Sequence, residues 1–189
     1  MAHLTDVPYI DNSNIDYLVN CLSSELLYKY GSNLSSFDIL IVGGAALALK
    51  YAYRSTVDID ADIRFQYELT SSINQVAMKN NIPIDWINQE FTKSTSYSRN
   101  LWKNAIYYKS FGFINVYVVC DLDQLCMKAV SGRVKDVPDI VFLCDKVMNI
   151  GLRYSNFVNE FSFLYGDYVK QNDKAKKRIH KEFKKRNML

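Results

Sequence analysis

Asp58, Asp60 and Asp62 alternate with Val57, Ile59, Ala61 and Ile63, a strict period of two. In an extended strand that period sends the three carboxylates to one face and the apolar residues to the other. Like charges so placed repel one another, and a divalent cation resolves the repulsion. Thirteen residues separate Asp58 from the pair Gly43-Gly44, which follows the aliphatic run Ile39-Leu40-Ile41-Val42 and precedes the helix-forming stretch Ala45 to Tyr53. A strand that turns through two glycines into a helix exposes free N–H groups next to backbone without side chains, a concavity suited to a phosphate. Mg²⁺, or Mn²⁺ in its place, is held by one or two carboxylates together with substrate phosphate oxygens. The two features therefore predict one site, with Asp58 and Asp60 as metal ligands, Gly43 and Gly44 as the phosphate cradle, and Ser55 or Thr56 lining it. The glycines lack the G-x-G-x-x-G spacing of a dinucleotide-binding turn.

The elements that must position this site can be read on either side of it. Ser13-Asn14-Ile15-Asp16 fits a capping box, and Ile15, Leu18, Val19, Leu22, Leu26 and Leu27 recur at helical spacing up to Gly31. Leu69, Ile73, Val76 and Ala77 mark a second amphipathic helix that Pro83 prevents from continuing. Residues 104–109 and 113–119 alternate in aromatic and β-branched types around Ser110-Phe111-Gly112, which predicts a hairpin. Asp121 is expected to cap a helix whose core stripe is Leu122, Leu125, Cys126 and Ala129, with Lys128 off that stripe. Asp136 is expected to be the N-cap of the next helix, with Pro138 in its first turn and Asp139 at its third position. A small mixed, twisted sheet flanked by helices, of the α/β (α+β) class, is the predicted fold.

The order of these motifs resembles the nucleotidyltransferase fold of the DNA polymerase β superfamily: a hydrophobic residue with Gly43-Gly44, a spacer, then Asp58-Ile59-Asp60-Ala61. The wording Val-Gly-Gly-Ala-Ala-Leu-Ala-Leu and Ser-Thr-Val-Asp-Ile-Asp is similar to small bacterial abortive-infection toxins of the AbiEii type. Ile84-Asp85-Trp86-Ile87-Asn88 is similar to an Asp-Trp-Leu-Asn stretch of that subfamily, with Trp86 expected as a packing anchor and Asp85 and Asn88 expected to form a structural turn or, as the second reading, to edge the nucleotide pocket. Leu125 through Ile140 also looks like one of its conserved-pattern stretches, which implies that Lys128 neutralises a triphosphate and that Asp136 belongs to the nucleotide site. The resemblance implies transfer of a nucleotidyl group from an NTP to an acceptor hydroxyl on RNA, tRNA or protein, and an antitoxin protein as partner. It further implies a third carboxylate on a strand like 113–118, where this chain carries Asn115. Asp62 or Asp85 is then expected to substitute, or the protein is a catalytically silent nucleotide- or RNA-binding module.

The charge is unevenly spread. The chain of 189 residues carries a net +3, but residues 170–189 alone carry +7 and the remainder −4. The basic segment predicts phosphate contact with RNA, indifferent to sequence and sensitive to salt, or else a frayed, solvated terminus. Domain organisation is expected as residues 1–151 for the catalytic fold and 152–189 for a helical, basic extension. The four cysteines show no C-x-x-C spacing and fall in apolar runs, which predicts buried free thiols. No apolar run is long enough to span a bilayer and the N-terminus has no h-region, so a cytoplasmic protein without membrane contact is expected. His3 and His180, the two histidines, lie outside the motifs, so no histidine base is assigned.

Overall fold

The central strand comes from the most apolar run of the motif region. In the computed structural model, which describes residues 10–64, 69–166 and 170–187, Ile39, Leu40 and Ile41 are fully buried on β1 (Phe37–Ile41). His3 lies outside the described residues. Two compact units share the chain, residues 1–91 with 106–118, and residues 92–105 with 119–189.

The first unit holds a five-stranded mixed sheet in the order β3-β2-β1-β5-β4, formed with β2 (Ile59–Arg64), β3 (Ile87–Asn88), β4 (Ile106–Phe111) and β5 (Ile114–Val118). β1 pairs antiparallel with β2 and parallel with β5, and β4 and β5 form the expected hairpin around Gly112. The connections are helical: α1 (Asn12–Tyr30), α2 (Gly43–Tyr51) between β1 and β2, and α3 (Leu69–Asn80) between β2 and β3. α1 presents Ile15, Leu18, Val19, Leu22 and Leu26 to the core and packs on α3 and α2. Removing that much apolar surface from water is the main favourable term holding the unit together. This is the predicted α/β architecture.

Local boundaries differ from expectation in instructive ways. α1 is capped by Asp11 and not from Ser13: Asp11 Oδ1 accepts from Ser13 N at 2.8 Å, and the Asp11 N–H donates to Asn14 Oδ1 at 2.9 Å. An Asp and Asn three apart do the work that Ser and Glu do in the commoner box. α2 starts at Gly43 itself, two residues before the predicted start. β2 begins at Ile59, because Thr56 is tied to Ile10 in an isolated antiparallel bridge and the chain bends at 57–58. Val57, expected on the apolar face, is therefore 52% exposed.

The second unit is helical, built on α4 (Asp121–Ser131), α5 (Val137–Asn149), α6 (Tyr154–Tyr165) and α7 (Lys170–Lys185). Phe157 and Phe161 of α6 and Phe183 of α7 are fully buried, with the Phe157 and Phe161 rings 5.4 Å apart. Ala175, Ile179 and Phe183, four residues apart along α7, are all buried, so this helix is packed against α4, α5 and α6 and is not a frayed tail. α6 and α7 thus belong to the same compact unit as α4 and α5. Cys120, not Asp121, occupies the N-cap of α4, its Sγ accepting from Asp123 N at 3.5 Å. All four cysteines are free thiols; Cys126 and Cys144 are buried as expected, while Cys21 and Cys120 are half-buried. Among the described residues no helix is long and apolar enough to cross a membrane.

Asp123 gives this unit a pH-dependent element. It is fully buried, and the Asn104 amide lies 3.4 Å from its Oδ1 and 3.2 Å from Glu160 Oε1. Burial, followed by the Glu160 charge, pushes the Asp123 carboxyl up to about 7. A carboxyl raised in the folded state contributes stability fully below its unfolded value, and that contribution is lost as pH rises through about 7. Urea unfolding should show wild-type stability falling relative to Asp123→Asn between pH 4 and pH 8. Parallel stability curves for the two proteins across that range would refute the assignment.

Candidate active site

The site is assembled by the antiparallel pairing of β1 with β2. β1 ends at the turn into α2, and β2 starts beside it, with Val42 N donating to Asp60 O at 3.0 Å. Asp60 and the first residue of α2 are thereby brought together although seventeen positions separate them. Gly43 adopts φ +67°, a conformation costly for any residue with a Cβ. A Cβ added there would sit 3.1 Å from Asp60 Oδ2. At Gly44 an added Cβ would meet Thr56 Oγ1 at 3.1 Å and Arg54 Nη2 at 3.5 Å. Both glycines are required by space, and the first also by backbone geometry. They leave a side-chain-free backbone edge at a helix N-terminus, between a carboxylate on one side and a hydroxyl and a guanidinium on the other.

Asp58 lies just before β2 and is held from two sides. Asn88 Nδ2 donates to Asp58 Oδ2 at 3.2 Å, and Thr56 Oγ1 is 3.5 Å from Asp58 Oδ1. Asn88 reaches it because β3 runs parallel to β2 with Asn88 opposite Asp60. Asn88 is itself fixed: its Oδ1 accepts from Glu90 N at 2.9 Å. Trp86, fully buried, anchors the strand by donating its indole N–H to Ile73 O at 3.2 Å. Asp58, Asp60, Gly43, Gly44 and Thr56 are thus gathered at one end of the sheet, while Ser55 is on the exposed surface. Arg54 and Asn88 also lie here; Arg54 carried no motif signal, and Asn88, expected in a structural turn or at the edge of the nucleotide pocket, bonds directly to Asp58.

The donor set suits a hard divalent cation. Asp58 and Asp60 would supply carboxylate oxygens, with Asp60 Oδ2 packed closely against the Gly43 backbone at the start of α2. Among the described residues no three His, Cys, Asp or Glu side chains gather at ligand spacing, so neither Asp62 nor Asp85 joins the pair. Asp62 shares the face of Asp60 but lies further along β2, opposite Leu40.

Sheet register also answers the question posed by Asn115. Asn115 is opposite Asp38, and Asp38 is opposite Arg64, four residues beyond Asp60 on β2. That offset is about 13 Å along the strand. Asn115 Nδ2 donates to Asp38 Oδ1 at 3.1 Å and its Oδ1 accepts from Ser110 Oγ at 2.7 Å, a cross-strand polar ladder at the far end of the sheet. An acid at position 115 would therefore stand at the level of Arg64 and not at that of Asp60.

Lys128 and Asp136 belong to the second unit, where they form a buried ionic cluster. Lys128, expected off the core stripe of α4, is only 5% exposed. Its Nζ lies 2.8 Å from both Asp136 Oδ1 and Asp139 Oδ2. Asp136 also accepts from Ser131 Oγ at 2.5 Å and from Arg133 Nε at 2.7 Å. Asp136 holds the N-cap position of α5, but its side chain makes no capping bond; these three donors and Arg133 Nη2, at 3.2 Å from Oδ1, occupy it. Burial alone would raise its carboxyl, but the Arg133, Lys128 and Ser131 hydrogen bonds outweigh that and hold it at about 2. Two cations and two carboxylates leave the cluster neutral, which is what allows a lysine to be buried.

Residues 20–149 match the family described as a nucleotidyltransferase of unknown function (DUF6036). The chain belongs to this family. Its description places the protein among nucleotidyltransferases and carries no acceptor and no toxin role. No curated protein and no solved structure matches the chain. In this DUF6036 protein the matched span includes the whole of the Gly43 to Asn88 site.

The bond from Asn88 to Asp58 has a measurable consequence. Loss of a group that orients a metal-binding carboxylate costs about 10- to 100-fold in metal affinity or activity. Asn88→Ala should lower transferase activity by that factor and raise the Mg²⁺ concentration needed for half-maximal rate, with unfolding little changed. An unchanged Mg²⁺ dependence would show that Asn88 serves the turn alone.

Proposed function

We propose that this DUF6036 protein is a metal-dependent nucleotidyltransferase that moves an NMP from an NTP to an acceptor hydroxyl, with RNA as the acceptor class. The observation that carries the reading is the approach of Gly43 to Asp60, where a single methyl group would contact the carboxylate. A helix N-terminus packed that closely on a carboxylate would bring a bound phosphate chain within reach of a cation that the carboxylates hold. Mg²⁺ held by Asp58 and Asp60 would supply charge neutralisation at the triphosphate and lower the pKa of a bound acceptor hydroxyl. The backbone N–H groups at Gly43 and Gly44 receive the β- and γ-phosphate oxygens, with the Thr56 hydroxyl and Arg54 guanidinium beside them. The acceptor oxygen attacks the α-phosphorus in line, the bond to the β-phosphate oxygen breaks, pyrophosphate leaves, and the acceptor proton passes to solvent. Positioning and electrostatics suffice for this chemistry, and no covalent nucleophile or histidine base is required.

RNA is favoured by the outward face of α7. With Ala175, Ile179 and Phe183 facing the core, Lys174, Lys177, Lys181 and Lys184 share the exposed side at three- and four-residue spacing. Lys185 and Arg186 are engaged by Glu182 and Asp145, at 2.7 Å and 2.6 Å, so the exposed lysines carry the free positive charge of this helix. Lys128 and Asp136, both consumed by the buried cluster, are read here as scaffold of the second unit and not as triphosphate ligands. A toxin role with a protein antitoxin belongs to the same reading, since modification of cellular RNA would arrest growth unless the partner were present.

Incubation with each α-³²P-labelled NTP, Mg²⁺ or Mn²⁺ and total cellular RNA tests the reaction. Label on RNA is the expected result, and label on protein would move the acceptor class. Mg²⁺-dependent NTP binding without transfer to RNA, protein or small hydroxyl compounds would overturn the enzyme reading in favour of a silent binding module.

A further inference from the structure

Arg178 of α7 is the least satisfied cation among the described residues of the second unit. One guanidinium nitrogen, Nη2, lies 3.4 Å from Gly132 O at the C-terminus of α4, a long bond. The other, Nη1, is buried from water and has no hydrogen-bond partner. Burying an ionised donor unpaired is costly, and such groups are nearly always paired or placed to meet a ligand.

The guanidinium borders a cavity of about 340 Å³ lined by Ala129, Val130, Ser131 and Gly132 of α4 and its end, and by Lys174, Ala175 and Arg178 of α7. That volume is at the lower end of small-ligand sites. One turn separates Lys174 from Arg178, so both cations serve the same cavity. Among the described residues neither is paired with a carboxylate. The nearby acids are already engaged: Glu182 by Lys185 and Arg186, and Asp136 by Lys128, Ser131 and Arg133. The α4 C-terminus presents carbonyl oxygens here, and one of these accounts for a single Arg178 donor. Nη1 has no such explanation, and the Lys174 ammonium adds a second positive charge at the cavity. Gly132, with φ +65°, keeps the cavity open, since a Cβ there would approach nothing closer than 3.8 Å. The Ala129, Val130 and Ala175 side is apolar.

We propose that this cavity binds a phosphate group, with the Arg178 guanidinium and the Lys174 ammonium supplying the charge, and with the apolar wall accepting the ribose or base attached to it. Guanidinium forks match phosphate geometry, and an ammonium beside them adds a point charge. The phosphate comes either from a free nucleotide or from an RNA strand, and the two sources share the same chemistry at Arg178.

The test follows the backbone amide resonances of Ser131 and Gly132, which line the cavity, in the full-length protein by ¹H–¹⁵N NMR during titration with inorganic phosphate. A saturable shift at millimolar phosphate is expected, lost in Arg178→Gln and weakened several-fold in Lys174→Gln, a variant that keeps the bond to Gly132. Addition of a uridine octamer without terminal phosphates then separates the sources. Competition with phosphate at Arg178 assigns the cavity to the RNA backbone, and competition by UMP but not by the octamer assigns it to a nucleotide. The absence of a saturable shift in folded protein at tens of millimolar phosphate, or a shift unaltered in both variants, would overturn the proposal. Phosphate binding here is independent of the transfer reaction: it should persist in Asp60→Asn, so failure of the one reading is distinguishable from failure of the other.

Discussion

Asp60→Asn is expected to abolish nucleotidyl transfer, with a loss on the order of 10³-fold or more, while leaving the fold intact. Asparagine keeps the size and one acceptor oxygen of the aspartate but removes the charge that a divalent cation requires. Several kcal/mol of charge stabilisation at the transferring phosphorus depend on that cation, and each 1.4 kcal/mol is about tenfold in rate. The side chain is half-buried and its backbone bond to Val42 is unaffected, so thermal unfolding should move little. Asp58→Asn should behave similarly in activity, with an added effect: an amide at position 58 would face the Asn88 amide now donating to it at 3.2 Å. Labelled product formation under single turnover, compared with Mg²⁺-dependent NTP binding by calorimetry, checks the prediction. If Asp60→Asn transferred label at a rate within tenfold of wild type, the carboxylates would not be the metal ligands and the reading of residues 43–60 would fall.

Part of this site was legible because its signal is local. Gly43-Gly44 after an aliphatic strand and the alternating aspartates each follow from nearest-neighbour rules of strand period and turn chemistry. Their adjacency in space was implied by the resemblance, and the antiparallel β1–β2 register supplies it physically. The missed contributors are non-local. Asn88 bonds to Asp58 only because a two-residue strand pairs parallel with β2, and Arg54 approaches the cradle only because α2 ends early enough to bring the chain back past Gly44. Asn115 shows the same limit: residue type can be read along a strand, but its level across a sheet depends on register. Asp58, taken as a strand residue, sits in a bend because the Ile10–Thr56 bridge shortens β2 from its start. In α7, the spacing of Ala175, Ile179 and Phe183 was sufficient to predict a buried stripe; the surrounding charge concealed how completely it packs.

Lys128→Met should destabilise the second unit by about 3–5 kcal/mol, the usual cost of removing one partner from a buried ion pair. The reason is what the lysine leaves behind. Asp139, with no exposed surface, would lose the ammonium 2.8 Å away, and Asp136 would keep only Arg133 and Ser131. Against a typical domain stability of about 5–15 kcal/mol, such a loss is large enough to appear in solubility as well as in urea titration. Lys128→Met combined with Asp139→Leu should recover most of it, because replacing both partners of a buried pair by apolar groups is often neutral. That double variant also separates the two possible duties of the lysine. As scaffold, it predicts recovered stability together with near wild-type NTP affinity. Recovered stability with NTP binding weakened tenfold or more would instead return Lys128 to the nucleotide site, and undiminished stability in the single variant would show that the cluster is not the internal support its geometry describes. The cluster explains why a lysine, an arginine and two aspartates occur between positions 128 and 139 without any ligand being required: α4 ends and α5 begins on the same neutral knot, and the charges fix the angle at which one helix hands over to the next.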